Sequence, residues 1–138
     1  MCLTQLDDII EVNTDIGYKV MLSIDDVLFF PYHGIGIQVQ LTIGSELTAL
    51  DSRLRIDDGY NYHVYYDSGF HIFLNEADAN AFVRNLNDMR WLCESFKYSR
   101  VFRVKFSEVR AKGYQGEAKC VVTKKMTLLE QVDVPTYS

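Results

Sequence analysis

Little in this chain announces chemistry. Its 138 residues hold three histidines, three cysteines, two prolines and one tryptophan, and each scarcity closes off a class of function. His33, His63 and His71 stand thirty and eight residues apart, which is neither the helical nor the hairpin spacing that sets two imidazoles on one metal ion, so no metal is expected. Cys2, Cys93 and Cys120 are odd in number, lack metal-ligand spacing and follow no secretory leader, which leads us to expect reduced thiols in a cytoplasm. The Gly-x-Ser-x-Gly elbow, the glycine-rich phosphate loop ending in Lys-Ser or Lys-Thr and the dinucleotide fingerprint are all missing. That removes the commonest signatures of nucleophilic, phosphoryl and hydride-transfer chemistry, and neither an enzyme nor a cofactor is expected. No apolar run approaches the roughly 20 residues that span a bilayer.

Positive charge is short as well. Fourteen Lys and Arg face nineteen Asp and Glu, a formal net charge of −5, whereas binding to nucleic acid calls for a concentrated basic patch. The basic groupings present, Arg100 with Arg103 and Lys105, and Lys119 with Lys124 and Lys125, read as solvated faces of strands. The carboxylates come as isolated pairs, Asp7-Asp8, Asp25-Asp26 and Asp57-Asp58, not in the rows that a nucleic-acid mimic would need.

What is abundant is apolar and aromatic surface. At 48% hydrophobic and 13% aromatic residues the chain can bury a working core as one domain, and global disorder is excluded. The densest aromatic run, Tyr60 to Leu74, leads into the strongest helix signal. There Phe82, Leu86, Met89, Cys93 and Phe96 recur at spacings of four, three, four and three, with Arg84, Asn85, Asn87, Asp88 and Arg90 opposite. Asn75 is the expected N-cap, and Asp78 adds favourable charge in the first turn. The pattern predicts one long helix over about 76–96. Asp67-Ser68-Gly69 supplies turn chemistry between two strands that precede it.

Elsewhere the reading is mostly strand. Residues 1–17 suggest a short helix or ordered arm through Leu3, Leu6, Ile9 and Ile10. Tyr18–Ile24 and Val27–Phe30 are expected to form a hairpin around Asp25-Asp26, and Pro31–Gly36 is a loop. Ile37, Val39, Leu41 and Ile43 alternate with Gln38, Gln40 and Thr42 as a half-buried strand. Gly44–Gly59, polar and charged, is either a one-turn helix or a long functional loop. Val101–Phe106 alternates Phe102, Val104 and Phe106 inward against Arg103 and Lys105, Lys112–Gly116 turns, and Ala118–Thr123 and Met126–Val132 close the domain before a frayed tail over 134–138. The sum is an α+β single domain, a mostly antiparallel sheet of six or seven strands packed on one long helix.

The candidate site gathers ring-bearing polar side chains: Tyr32 and His33 in the Pro31–Gly36 loop, and His63, Tyr65 and His71 on the aromatic strands. Tyrosine offers large rigid contact area at low entropic cost, which suits a protein interface or a planar ligand. The opposing reading makes the tyrosines an amphipathic cover for the helix and His71 a hydrogen-bonded core residue. Arg103 and Lys112 are the cations that a nucleotide would use.

Ser68-Gly69-Phe70-His71-Ile72-Phe73 ahead of Glu76-Ala77-Asp78-Ala79, then Val104–Gly113 and Lys124-Lys125-Met126-Thr127-Leu128-Leu129-Glu130, resembles a family of small uncharacterised phage and bacterial proteins. The likeness covers the second half of the chain. It implies a strand, helix and two closing strands, and a protein acting in a bacterial cytoplasm against host defence. The expected function is therefore a non-enzymatic interaction protein, a phage-encoded inhibitor that docks on a host protein or on itself. The alternative is a protein that sequesters a nucleotide-like small molecule.

Overall fold

A computed structural model describes residues 3–24, 27–29, 43–49, 51, 53–57, 63–92 and 94–132, apart from the side chains of Val27, Phe29, Asp57, His63 and Ser95. The expected loop at Pro31–Gly36, most of the strand at Ile37–Ile43 and the tail at 134–138 lie outside these residues.

The described strands are β1 (Gln5–Leu6), β2 (Ile16–Ile24), β3 (Val27–Phe29), β4 (Glu46–Thr48), β5 (Arg53–Asp57), β6 (His63–Asp67), β7 (Phe70–Phe73), β8 (Ser99–Gln115) and β9 (Ala118–Val132). The helix α1 spans Glu76–Asp88, and a short 3-10 helix covers Glu94–Tyr98. Seven strands share one antiparallel sheet in the order β1-β8-β2-β7-β9-β4, with β3 added to β2, while β5 and β6 pair only with each other. The chain is thus an α+β domain dominated by its sheet.

The sheet closes on itself. The amino half of β8 pairs with β2, with Gly17 opposite Val104 and Leu22 opposite Ser99. Tyr18 on β2 stands opposite Phe73 on β7. In turn β7 pairs with the amino half of β9, and β9 pairs along its length with β8. Two irregularities, at Arg103/Val104 and at Val109/Ala111, bend the β8–β9 ladder so that its two halves can serve opposite sides of the circuit. At the bend Glu108 takes a left-handed backbone, φ 57°.

Closure gives two cores. Inside lie Met21, Ile72, Phe102, Val104, Phe106, Val121, Met126 and Leu128, contributed by all four strands of the circuit. On the outer face Val20, Leu22, Phe73, Val101, Cys120 and Val122 pack with Ala79, Val83 and Leu86 of α1 and with Leu3, Tyr66 and Phe96. The period-two signal at Phe102, Val104 and Phe106 is the inner row, as expected from alternation.

The expected long helix is corrected. It stops at Asp88, and Met89, Arg90 and Leu92 continue as short-range turns, Met89 N–H donating to both Asn85 O and Leu86 O. The last turn explains the stop: Asn85, Asn87 and Asp88 are weak helix formers, Asp88 sits at the negative end of the helix dipole, and no basic residue offsets it. Phe96 still reaches the core, from the 3-10 helix, whereas Leu92 is exposed, Phe82 and Met89 are only partly buried and Cys93 lies outside the described residues. Asn75 occupies the N-cap with an extended backbone, but its side chain makes no capping hydrogen bond and donates instead to Asp78 Oδ2 at 3.3 Å.

Four more expectations are narrowed or change. Of the two readings of the N-terminal segment, the ordered arm holds and the short helix does not, with Gln5–Leu6 of the arm pairing as β1. The stretch Gly44–Gly59 holds β4 and β5. Strand β8 runs through Lys112–Gly113 to a turn at Gly116-Glu117, because β1 approaches so closely that a Cβ at Gly113 would overlap the Gln5 carbonyl oxygen. And β9 is continuous across Lys124-Lys125, since lysine stems can lie along the sheet with their heads in water.

Two changes test this packing by urea unfolding. Phe73→Ala, at a fully buried site, should cost about 3–5 kcal/mol, more than Phe82→Ala at the partly buried ring beside it. Glu108→Gly should hold or raise stability by up to about 1 kcal/mol by relieving the left-handed backbone, whereas Glu108→Val should lower it.

Candidate functional site

Tyr32 and His33 lie outside the described residues, as does the side chain of His63, whose backbone opens β6 opposite Asp57. The remaining candidates are not brought together. Tyr65 is 56% exposed, across from Arg55 on β5. His71 is only 3% exposed, on a strand flanked by β2 and β9.

Alternation separates the neighbours Tyr65 and Tyr66. Tyr66 and Leu54 share the inward face of the β5–β6 pair, and the Tyr66 ring is buried in the outer core. Its hydroxyl lies 3.0 Å from the Leu3 backbone nitrogen, which donates to it, and 2.9 Å from His71 Nε2. The other ring nitrogen, Nδ1, lies 3.2 Å from the Gly69 carbonyl oxygen. A carbonyl only accepts, so Nδ1 carries a hydrogen and donates it, while Nε2 and the Tyr66 hydroxyl share the second hydrogen bond. The Gly69 that accepts from Nδ1 has no room for a side chain, since a Cβ there would overlap the Thr123 carbonyl.

Beneath the same residue sits a group that sequence reading passed over. Lys19 is buried on the side of β2 that carries Met21 and faces Phe102, and its Nζ donates to the His71 carbonyl at 2.9 Å. Burial pushes its ammonium down to about 8, with Cys120 acting weakly in the opposite sense. Burial pushes the Cys120 thiol up to about 12, beyond the range of a reactive thiolate. The signal for Lys19 was its position within Tyr18-Lys19-Val20-Met21-Leu22, a lysine inside an apolar run.

Arg103 and Lys112 do not converge. Arg103 pairs with Glu130 across the β8–β9 ladder at 3.2 Å, and Lys112 Nζ donates to the Ile10 carbonyl at 3.1 Å. A second cation missed by the sequence reading, Arg110, sits at the β8 bulge and holds both ends of the β5–β6 hairpin, through the Ser68 carbonyl at 2.6 Å and the Asp51 carboxylate. Further out, Trp91 and Leu92 stand 77% and 62% exposed in the turn after α1. Among the described residues no group of three or more His, Cys, Asp or Glu gathers where it could hold a metal, and no helix is long and apolar enough to cross a membrane.

No protein family, curated protein or solved structure compared with the chain matches it significantly.

Lys19 and Cys120 set opposite pH dependences. Between pH 8 and the ordinary lysine value of 10.5 the unfolded chain holds a Lys19 proton that the folded chain has shed, so stability rises with pH. Between pH 9 and 12 the unfolded chain sheds the Cys120 proton that the folded chain keeps, so stability falls. Urea unfolding across this range should show the rise abolished in Lys19→Met and the fall abolished in Cys120→Ala.

Proposed function

We propose that this chain is a non-enzymatic interaction protein that docks on another protein through the outward face of the β5–β6 hairpin. One observation carries the reading: Tyr65, 56% exposed, is held on the outward face of a two-stranded sheet separate from the main one. Exposed aromatic rings on a rigid backbone are the usual anchors of protein interfaces. Arg55 stands across from Tyr65 on β5, and Arg53, 3.7 Å from the Asp67 carboxylate, lies on the same face, which places charge at the rim. A bacterial host protein acting in defence against phage is the partner implied by the likeness of the second half to phage proteins, and by that likeness alone.

The sequestering of a nucleotide draws less support. Arg103 is engaged by Glu130 and Lys112 by a backbone carbonyl, so a phosphate would have to displace both.

Once a partner has been captured and identified, titration with Tyr65→Ala tests the face directly. The change should weaken binding by about 2 kcal/mol, roughly thirtyfold, with circular dichroism and melting temperature unchanged. Wild-type affinity in Tyr65→Ala would move the site elsewhere. Native mass spectrometry of protein purified from a bacterial host should find the chain at its own mass, and a retained nucleotide would favour the other reading.

A further inference from the structure

The chain's single tryptophan lies on the surface, next to a leucine that does the same. Trp91 and Leu92 are 77% and 62% exposed in the turn that follows α1. That turn has a fixed shape: Arg90 N–H donates to Asn87 O at 3.3 Å and Leu92 N–H to Met89 O at 2.9 Å. Met89 before the pair packs on the outer core, and Phe96 after it is buried there. Single exposed apolar residues are common, but a Trp and a Leu side by side on a held turn form a patch of the kind that contacts use.

The charges beside the pair decide what fits it. Asp88 ends α1 and Arg90 opens the turn, both exposed. Among the described residues neither makes an ion pair, whereas Glu94 and Lys97 farther along are joined to each other at 3.0 Å. A lipid surface or a nucleic acid would call for cations alone. One unpaired charge of each sign beside an apolar centre is instead complementary to itself, because a twofold axis sets residue i of one copy against j of the other, and j against i.

We propose that the Trp91–Leu92 turn is a weak self-association surface, on which two copies of this chain pack their apolar pairs together and form reciprocal Asp88–Arg90 ion pairs across a twofold axis. The helix end fits the same occupant. The last turn of α1 has no basic residue and finishes on Asp88, so its free carbonyls and that carboxylate want a cation, and Arg90 of the second copy supplies one. Two terms keep the contact weak. Two apolar residues a side are too few for the roughly 800 Å² per partner of a stable interface, and each copy carries a net charge of −5. The dissociation constant should therefore lie at about 0.1–1 mM, with single chains at micromolar concentration.

Sedimentation equilibrium of the full chain at low salt tests the surface. From about 10 μM to about 1 mM the weight-average mass should rise at least about 1.3-fold, and the one indole N–H resonance should shift over the same range. Trp91→Ser should stay at the mass of one chain. Asp88→Arg and Arg90→Asp should each do so as well, because like charges then face each other. An equimolar mixture of those two variants should regain the rise, since every cross-pair is again of opposite sign. Tyr65→Ala should behave as wild type, so the outcome is independent of the docking reading above. A wild type that stays at one chain mass to about 1 mM, a rise that persists in Trp91→Ser or is lost in Tyr65→Ala, or a mixture no heavier than its components would overturn the proposal. If Trp91→Ser does not fold by circular dichroism, Leu92→Ser decides in its place.

Discussion

The β8–β9 hairpin binds the fold to itself. Each strand is long enough for its two halves to face different neighbours, and the ladder bends at Arg103/Val104 and Val109/Ala111 so that one half meets β2 and the other meets β7. When β2 and β7 then meet at Tyr18 and Phe73, the circuit closes and its inside must be filled by side chains from every strand in it. The other elements take their places from that closure. α1 covers the outer face, β1 crosses the far end of β8 at Gly113, and the β5–β6 hairpin rests on the outer core through Leu54, Ile56 and Tyr66.

A strand buried on both faces loses the simple alternation that marks half-buried strands, and this decided what could be read beforehand. Phe102, Val104 and Phe106 were legible because Arg103 and Lys105 between them reach water. In β2 both faces are covered, Val20 and Leu22 outside and Met21 inside, so no simple alternation marks it and nothing singled out Lys19. Gly113 and Lys124-Lys125 looked like breaks because the reasons the strands continue there lie elsewhere: the close approach of β1 at Gly113, and at Lys125 the carboxylates of Glu46 and Glu108 within 3.9 and 3.5 Å. The helix was legible in type and starting point. Its length was not, because the stripe of Met89, Cys93 and Phe96 continues in phase through a segment whose local chemistry favours turns.

Of the residues singled out for binding, His71 and Tyr65 turned out to sit on opposite sides of a structural boundary. The alternation that exposes Tyr65 buries Tyr66 against His71, so one dipeptide supplies both an outward ring and the inward anchor that holds it in place. The aromatic density of this stretch therefore has two causes, core cover and exposed contact. Period-two spacing alone could place the two rings on different faces but could not say which face was wet.

Closure of the circuit is the central claim, and nuclear Overhauser contacts between backbone protons test it most directly. One sample of the folded chain should show cross-strand contacts between Tyr18 and Phe73, between Gly17 and Val104, and between Ile72 and Val121, all persisting to the same urea concentration. Contacts for the last two pairs without any between Tyr18 and Phe73 would mean an open sheet, and would contradict the account.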